Sequence, residues 1–177
     1  MQRALVLMVA ALVGCGGSEE EPPPGTVSGP LCEALPSGDD PGAPPTLVDE
    51  PAAVVLTWIP VATTFEAAVR RSGLELHDVT ILAPTDDAFT AAFDRQALDE
   101  LLLSRAEARE LVEKHVLEGE HSLADLRDDG EATTLAGDTL DVTEAGAMAR
   151  FGDRATTVCA DYAASDARIH VVDGVLD

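Results

Sequence analysis

The chain has 177 residues, enough for one domain with accessory segments. Hydrophobic residues at 46% allow a packed core, while aromatics at 3% leave little for a base- or sugar-stacking surface. With 11 Lys and Arg against 33 Asp and Glu, the net charge of −22 repels phosphate backbones and excludes nucleic acid as an expected partner.

Arg3 opens an export signal, and Ala4 to Val13 is an unbroken apolar run of ten residues. Such a run is too short to cross about 30 Å of hydrocarbon as a helix, and it has the length of a signal-peptide core. Leu12-Val13-Gly14-Cys15 follows and resembles the lipobox of bacterial lipoproteins. That resemblance implies a signal peptide over residues 1–14 and a diacylglycerol on Cys15, which becomes the first residue after cleavage. Two or more acyl chains hold stably, at roughly 0.8 kcal/mol per buried CH₂. Membrane contact is therefore expected through the lipid anchor only. Gly16-Gly17 rather than an Asp follows the Cys, which by resemblance favours the outer membrane in a Gram-negative source.

Residues 15–45 are rich in Pro, Gly and acids, with few large apolar side chains. Burial in such a segment does not offset its ordering entropy, so it reads as a disordered tether with a reach of about 30 Å. Cys32 interrupts it. With Cys15 lipidated, Cys32 and Cys159 remain as an even pair in an oxidising compartment, and a disulfide between them is expected.

Residues 46–177 form the domain. Thr63 or Thr64 is placed to cap a helix from Phe65 to Ser72, which Gly73 ends. Asp78 to Ala83 reads as a strand stopped by Pro84. Thr85-Asp86-Asp87 opens a helix whose apolar face carries Ala88, Phe89, Ala92 and Phe93. A helical stretch at Leu98–Leu103 precedes Ser104-Arg105-Ala106-Glu107, a capping box that starts a helix through Lys114. Ser122 caps a short helix to Arg127, closed by Asp129-Gly130. The period then changes to two. Strands are expected at Thr133–Leu135, Thr139–Val142, Ala147–Phe151, Thr156–Ala160 and Arg168–Leu176. Helices first and antiparallel strands afterwards make an α+β layout.

Two segments carry more than periodicity. Thr80-Ile81-Leu82-Ala83-Pro84-Thr85-Asp86-Asp87-Ala88-Phe89 and Ile169-His170-Val171-Val172-Asp173-Gly174-Val175-Leu176 resemble the two signature boxes of the fasciclin (FAS1) domain. Leu111 to Gly119 is similar to the family's Tyr-His segment, with His115 at the His and Lys114 where Tyr is usual. Ser122-Leu123-Ala124-Asp125-Leu126 resembles the short helix that follows it. The resemblance runs from about Pro51 to Asp177. It implies a wedge of about seven β-strands packed against a layer of short helices, and a non-enzymatic adhesion or binding module. In animal members an Asp-Ile pair near the second box is linked to integrin binding. The matching pair here is Asp161-Tyr162, so integrin binding is not carried over. By this resemblance Lys114, His115, Asp161 and Tyr162 are the candidate binding residues. Thr85, Asp86, Asp87, Phe89, His170, Asp173 and Gly174 are the family's structural positions.

Site chemistry elsewhere is sparse. His115 and His121 flank a turn, but no Cys or carboxylate spacing completes a metal site. Asp125 to Gly130 begins like a calcium loop and fails at Arg127 and Ala136. Asp86 and Asp87 are explained by helix capping, and His115 and His170 by hydrogen bonding inside the fold. Neither a nucleophile elbow nor a phosphate loop occurs. No catalytic residue, metal or cofactor is expected. The expected function is an exported, lipid-anchored envelope module that contacts a protein or polysaccharide. The alternative is a carrier of an apolar small molecule or pigment in a helix–sheet cleft of about 300 Å³ or more.

Overall fold

The computed structural model describes residues 25–38 and 40–176. The expected signal peptide, Cys15 and the first part of the expected tether lie outside the described residues. Helices lead: α1 (Ala52–Thr57) and α2 (Thr63–Ser72) precede β1 (Val79–Pro84), and α3 (Asp86–Ala92), α4 (Arg95–Leu103) and α5 (Arg105–His115) follow it. Next come β2 (Val116–Glu118) and α6 (Leu123–Asp129). The rest is strand: β3 (Glu131–Thr133), β4 (Thr139–Ala145), β5 (Met148–Phe151), β6 (Ala155–Ala163) and β7 (Ala167–Val172).

The seven strands form one sheet in the order β2-β1-β7-β6-β5-β4-β3. Only β1 and β7 run parallel, with Ile81 opposite Ile169 and Pro84 opposite Val172; the other pairs are antiparallel. The two ends of this order approach each other. Leu117 bridges to Thr134, and Leu135 N donates to Val116 O at 2.8 Å. The sheet is thus a curled wedge, nearly closed.

Curling creates two cores. Outside the sheet, α1 to α5 bury Val55, Phe65, Phe89 and Val112 against Ile81, Ile169 and Val171. Inside it, Leu82, Val142, Phe151 and Val172 pack with Leu123 and Leu126 of α6. Strand β1 lies between the cores, so all six of its residues are buried. Apolar side chains on both faces are what a strand covered on both sides requires. Pro84 does not stop this strand but forms its last pair, a position where a missing N–H is tolerated.

Side-chain caps start the helices at Thr85, Ser104 and Ser122 as expected, and also at Asp94, which extends the stretch expected at Leu98–Leu103 back to Arg95. Thr85 Oγ1 accepts from Ala88 N at 3.1 Å, and Asp94 Oδ1 accepts from Ala97 N at 2.9 Å. Ser104 Oγ accepts from Glu107 N at 3.3 Å, one half of the box expected there. The reciprocal box closes instead at Ser122, whose N–H donates to Asp125 Oδ2 at 2.9 Å. Helix α2 departs from expectation: Ala62 is its N-cap, with neither Thr63 nor Thr64 in that role.

The expected disordered tether is corrected over its distal part. Ser28 and Ala160 exchange two backbone hydrogen bonds, of 3.2 and 2.7 Å, and Leu31 N donates to Val158 O at 2.9 Å. This strap, residues 27–35, lies along β6 and is bonded to it by the Cys32–Cys159 disulfide, with Cα atoms 5.1 Å apart. Leu35 at its end is buried, as are Ala43 and Leu47 beyond it. Composition alone misleads here, because strand pairing and a covalent link supply what the sparse apolar side chains do not.

Candidate functional site where the two boxes meet

Parallel pairing of β1 with β7 delivers the ends of both boxes to one place. Thr85 N donates to Val172 O at 2.9 Å, so the first turn of α3 sits beside Asp173. The box residues then spend their polar atoms on the fold. Asp86 Oδ1 accepts from Thr64 N at 2.7 Å, and its Oδ2 accepts from Thr63 Oγ1 at 2.9 Å. Asp86 therefore caps α2, a helix 22 residues earlier in the chain, rather than its own. Its own N–H donates to Val61 O at 2.7 Å. Asp173 Oδ1 accepts from Thr156 N at 2.7 Å, and Asp173 N donates to Thr156 O at 3.0 Å. Gly174 lies so close to β6's entry turn that a Cβ there would fall 1.9 Å from Arg154 O. Phe89 is fully buried, whereas Asp87 and Asp173 face solvent and Asp86 is half-buried.

Both box-associated histidines are buried links. His115 Nδ1 donates to Leu111 O at 2.8 Å, leaving Nε2 to accept from Leu176 N at 2.9 Å. Burial pushes its pKa from 6.5 down to about 4, so the neutral ring is the folded form. The ring also tilts against Phe65, with centroids 5.6 Å apart. His170 Nδ1 accepts from Asp161 N at 3.2 Å, and its Nε2 donates to His121 O at 3.1 Å. Burial lowers its pKa as well, against the opposing pull of the Asp161 charge.

The structure does not bring the candidate binding residues together as a surface. Lys114 is partly exposed and pairs with Glu110 at 3.3 Å, one helical turn away. His115 is fully buried. Asp161 adopts a positive φ of 69° and turns inward, where its Oδ1 accepts from Leu123 N at 3.0 Å. Tyr162 is core, only 1% exposed, and burial raises its phenol pKa to about 12. The cause is local. Cys159 pairs with Val171 and Tyr162 with Ile169, so β6 carries an extra residue at this bulge. The bulge breaks the in–out alternation and sends Tyr162 to the same helix-side core as Cys159.

Among the described residues no group of three His, Cys, Asp or Glu is placed to hold a metal ion. His121, considered with His115 as a ligand pair, directs Nε2 at Glu118 O, 2.9 Å away. None of the helices described is long and apolar enough to cross a membrane. Asp125 is tied up in the Ser122 box, whose hydrogen bonds hold its carboxyl below the usual range.

Two open grooves of about 500 Å³ remain as places for a partner. One lies between the curled sheet and α5, lined by Lys114, Leu140, Phe151 and Leu176. The other lies at the meeting of the boxes, between α3 and the strap. Sequence reasoning missed the second, because one wall comes from the supposed tether.

The family model for the fasciclin domain matches residues 60–177. Over 99 residues the chain is 33% identical to Protein sll1483 of Synechocystis sp., covering 55% of this chain and 53% of that one. The chain thus spans about half the length of that relative. The solved FAS1 domain pair from the insect cell adhesion molecule Fasciclin I has the same fold. It matches with a TM-score of 0.51 and 20% identity, over 66% of this chain and 45% of that chain. With both boxes seated in the curled sheet as described, the chain belongs to the fasciclin domain family, whose domains are adhesion-type modules.

Proposed function

We propose that this protein is a non-enzymatic binding module, anchored in the cell envelope by lipid on Cys15 and contacting an envelope protein or polysaccharide. The observation that carries the reading is the use to which the box residues are put. Thr85, Asp86, Asp173, His115 and His170 are each engaged in bonds that hold the fold, which leaves surfaces rather than reactive side chains for function. The strap adds support, since a domain disulfide-bonded to its own leader is built to stay attached to it.

A second reading, the carrier of an apolar small molecule, is favoured by the groove beside Leu140, Phe151 and Leu176. Its volume of about 500 Å³ lies within the range of small-molecule sites.

Native mass spectrometry and an absorption spectrum, on protein purified from its host's membranes, separate the two. A bound molecule of defined mass supports the carrier. A clean mass, together with crosslinks to envelope components on intact cells, supports adhesion. Neither ligand nor crosslink would sink both. The anchor is tested by Cys15→Ser, which should lack acyl mass and leave the membrane fraction; retention there removes the anchor from the proposal.

A further inference from the structure

We propose that the groove between the strap and α3 receives a basic, aliphatic-bearing segment of a protein partner, an inference that rests on the adhesion reading above. Its floor and walls are apolar: Leu31 from the strap, Ala88 and Ala91 from α3, and Val158 from β6. Its charged rim is acidic. Asp87 and Asp173 come from the two boxes, and among the described residues neither Lys nor Arg lines the groove.

Each feature selects part of the occupant. Ala88 and Ala91 are three apart on one helix face, and their small side chains make the depression that an aliphatic side chain fills. Asp87 and Asp173 set negative charge at the edge of that depression, on a chain whose net charge is −22. A Lys or Arg flanking the aliphatic residue meets both demands, whereas an acidic segment is repelled by the rim and by the molecule as a whole. The groove is open and shallow, which suits a chain segment laid along it. A free small molecule would be left mostly in water there.

One wall of the site comes from outside the matched family domain. Pro30 and Leu31 precede the matched family domain, which begins at residue 60. Without them the groove has lost a wall. Gly29 packs so closely on β6 that a Cβ would fall 2.4 Å from Val158 O, which seats Pro30 and Leu31 firmly against the strand.

The test is an NMR titration of the ¹⁵N-labelled full-length chain with an acetylated, amidated Gly-Lys-Leu-Lys-Leu-Gly peptide. A second peptide replaces both Lys by Glu. The expected result is saturable shifts at Leu31, Ala88, Ala91 and Val158 with the basic peptide and none with the acidic one. Asp87→Asn, at an exposed position, should weaken binding about fivefold, the effect of one exposed ion pair. Ala91→Trp, which fills the depression, should abolish it. Shifts elsewhere on the surface, equal response to the acidic peptide, or no saturable response would each overturn the proposal. Crosslinking on cells tests the adhesion reading independently of this groove, so the two fail separately.

Discussion

Asp86 caps a helix it does not belong to, its carboxylate accepting a 2.7 Å hydrogen bond from Thr64 N at the start of α2. The bond joins the first box to the helix layer and takes up the free N–H groups of α2 that Ala62 cannot serve. Asp86→Ala should cost about 1–2 kcal/mol, the loss of a good N-cap. The neighbouring Asp87→Ala, at an exposed position, should stay within about 0.5 kcal/mol of the parent. Urea unfolding of the two variants decides the matter, and equal losses would contradict the long-range cap.

Buried neutral histidines make the fold sensitive to mild acid. The folded pKa of His115 is depressed from 6.5 to about 4, so the unfolded chain binds the proton more tightly. Its contribution is fully present above pH 6.5 and is lost as pH falls towards 4, worth roughly 3 kcal/mol over the whole window. His170 acts in the same direction. Asp125, whose carboxyl is also depressed, contributes stability that is lost only at lower pH, below about 4. Urea midpoints should therefore already fall between pH 6.5 and 5, where carboxylates remain ionised. His115→Gln should be less stable at pH 7 and lose much of that early slope. A midpoint independent of pH down to 5 would rule the assignment out.

Reduction of the Cys32–Cys159 bond frees a loop with a sequence separation of 127 residues. In chain-entropy terms such a bond contributes about 4–5 kcal/mol, and less is usually delivered. Dithiothreitol should lower the melting temperature while leaving the β1–β7 pairing intact. Hydrogen exchange should quicken first at the Ser28, Leu31 and Ala160 amides, whose bonds hold the strap on β6. Uniform acceleration throughout the sheet would show that the strap is not an independent layer.

Local chemistry in the sequence marked out much of this fold. Thr85 and Ser122 announce helix starts by their hydroxyls, Gly73 and Gly130 end helices at positive φ, and the cysteine count singled out the disulfide. What stayed hidden depends on partners distant in the chain. Helix α1, Ala-Ala-Val-Val-Leu-Thr, is short and rich in residues that also suit strands; it is helical because Val55 and Leu56 reach the outer core. The strap looks like tether until β6 is there to pair with it. Of the candidate site, Lys114 and Asp161 are half-exposed while His115 and Tyr162 are buried; Asp161 and Tyr162 were named by resemblance alone, and the bulge that sets their directions cannot be read from alternation. The two carboxylates of Asp86 and Asp87 look equivalent in sequence, yet one is a staple and the other is rim.

Gly174 is fixed by proximity rather than by a turn. The chain leaves β7 at Val172 and swings inward so that Leu176 N meets His115 Nε2 at 2.9 Å. That path runs against Arg154 O, where an added Cβ would sit 1.9 Å away. The obstacle is backbone, flanked by Ala155 Cα at 3.0 Å, and it cannot rotate aside as a side chain tip would. Gly174→Ala must therefore displace either the entry to β6 or the segment that carries Val175 and Leu176 into the two cores. A loss of about 3 kcal/mol or more is expected, as for an overpacked interior. A second effect should separate this from simple destabilisation. If the C-terminal segment moves, His115 loses its acceptor role, and its pKa should rise from about 4 towards the ordinary histidine value. NMR titration of the ring in Gly174→Ala reads this directly, and an unchanged pKa with near-parent stability would show that the close approach has slack.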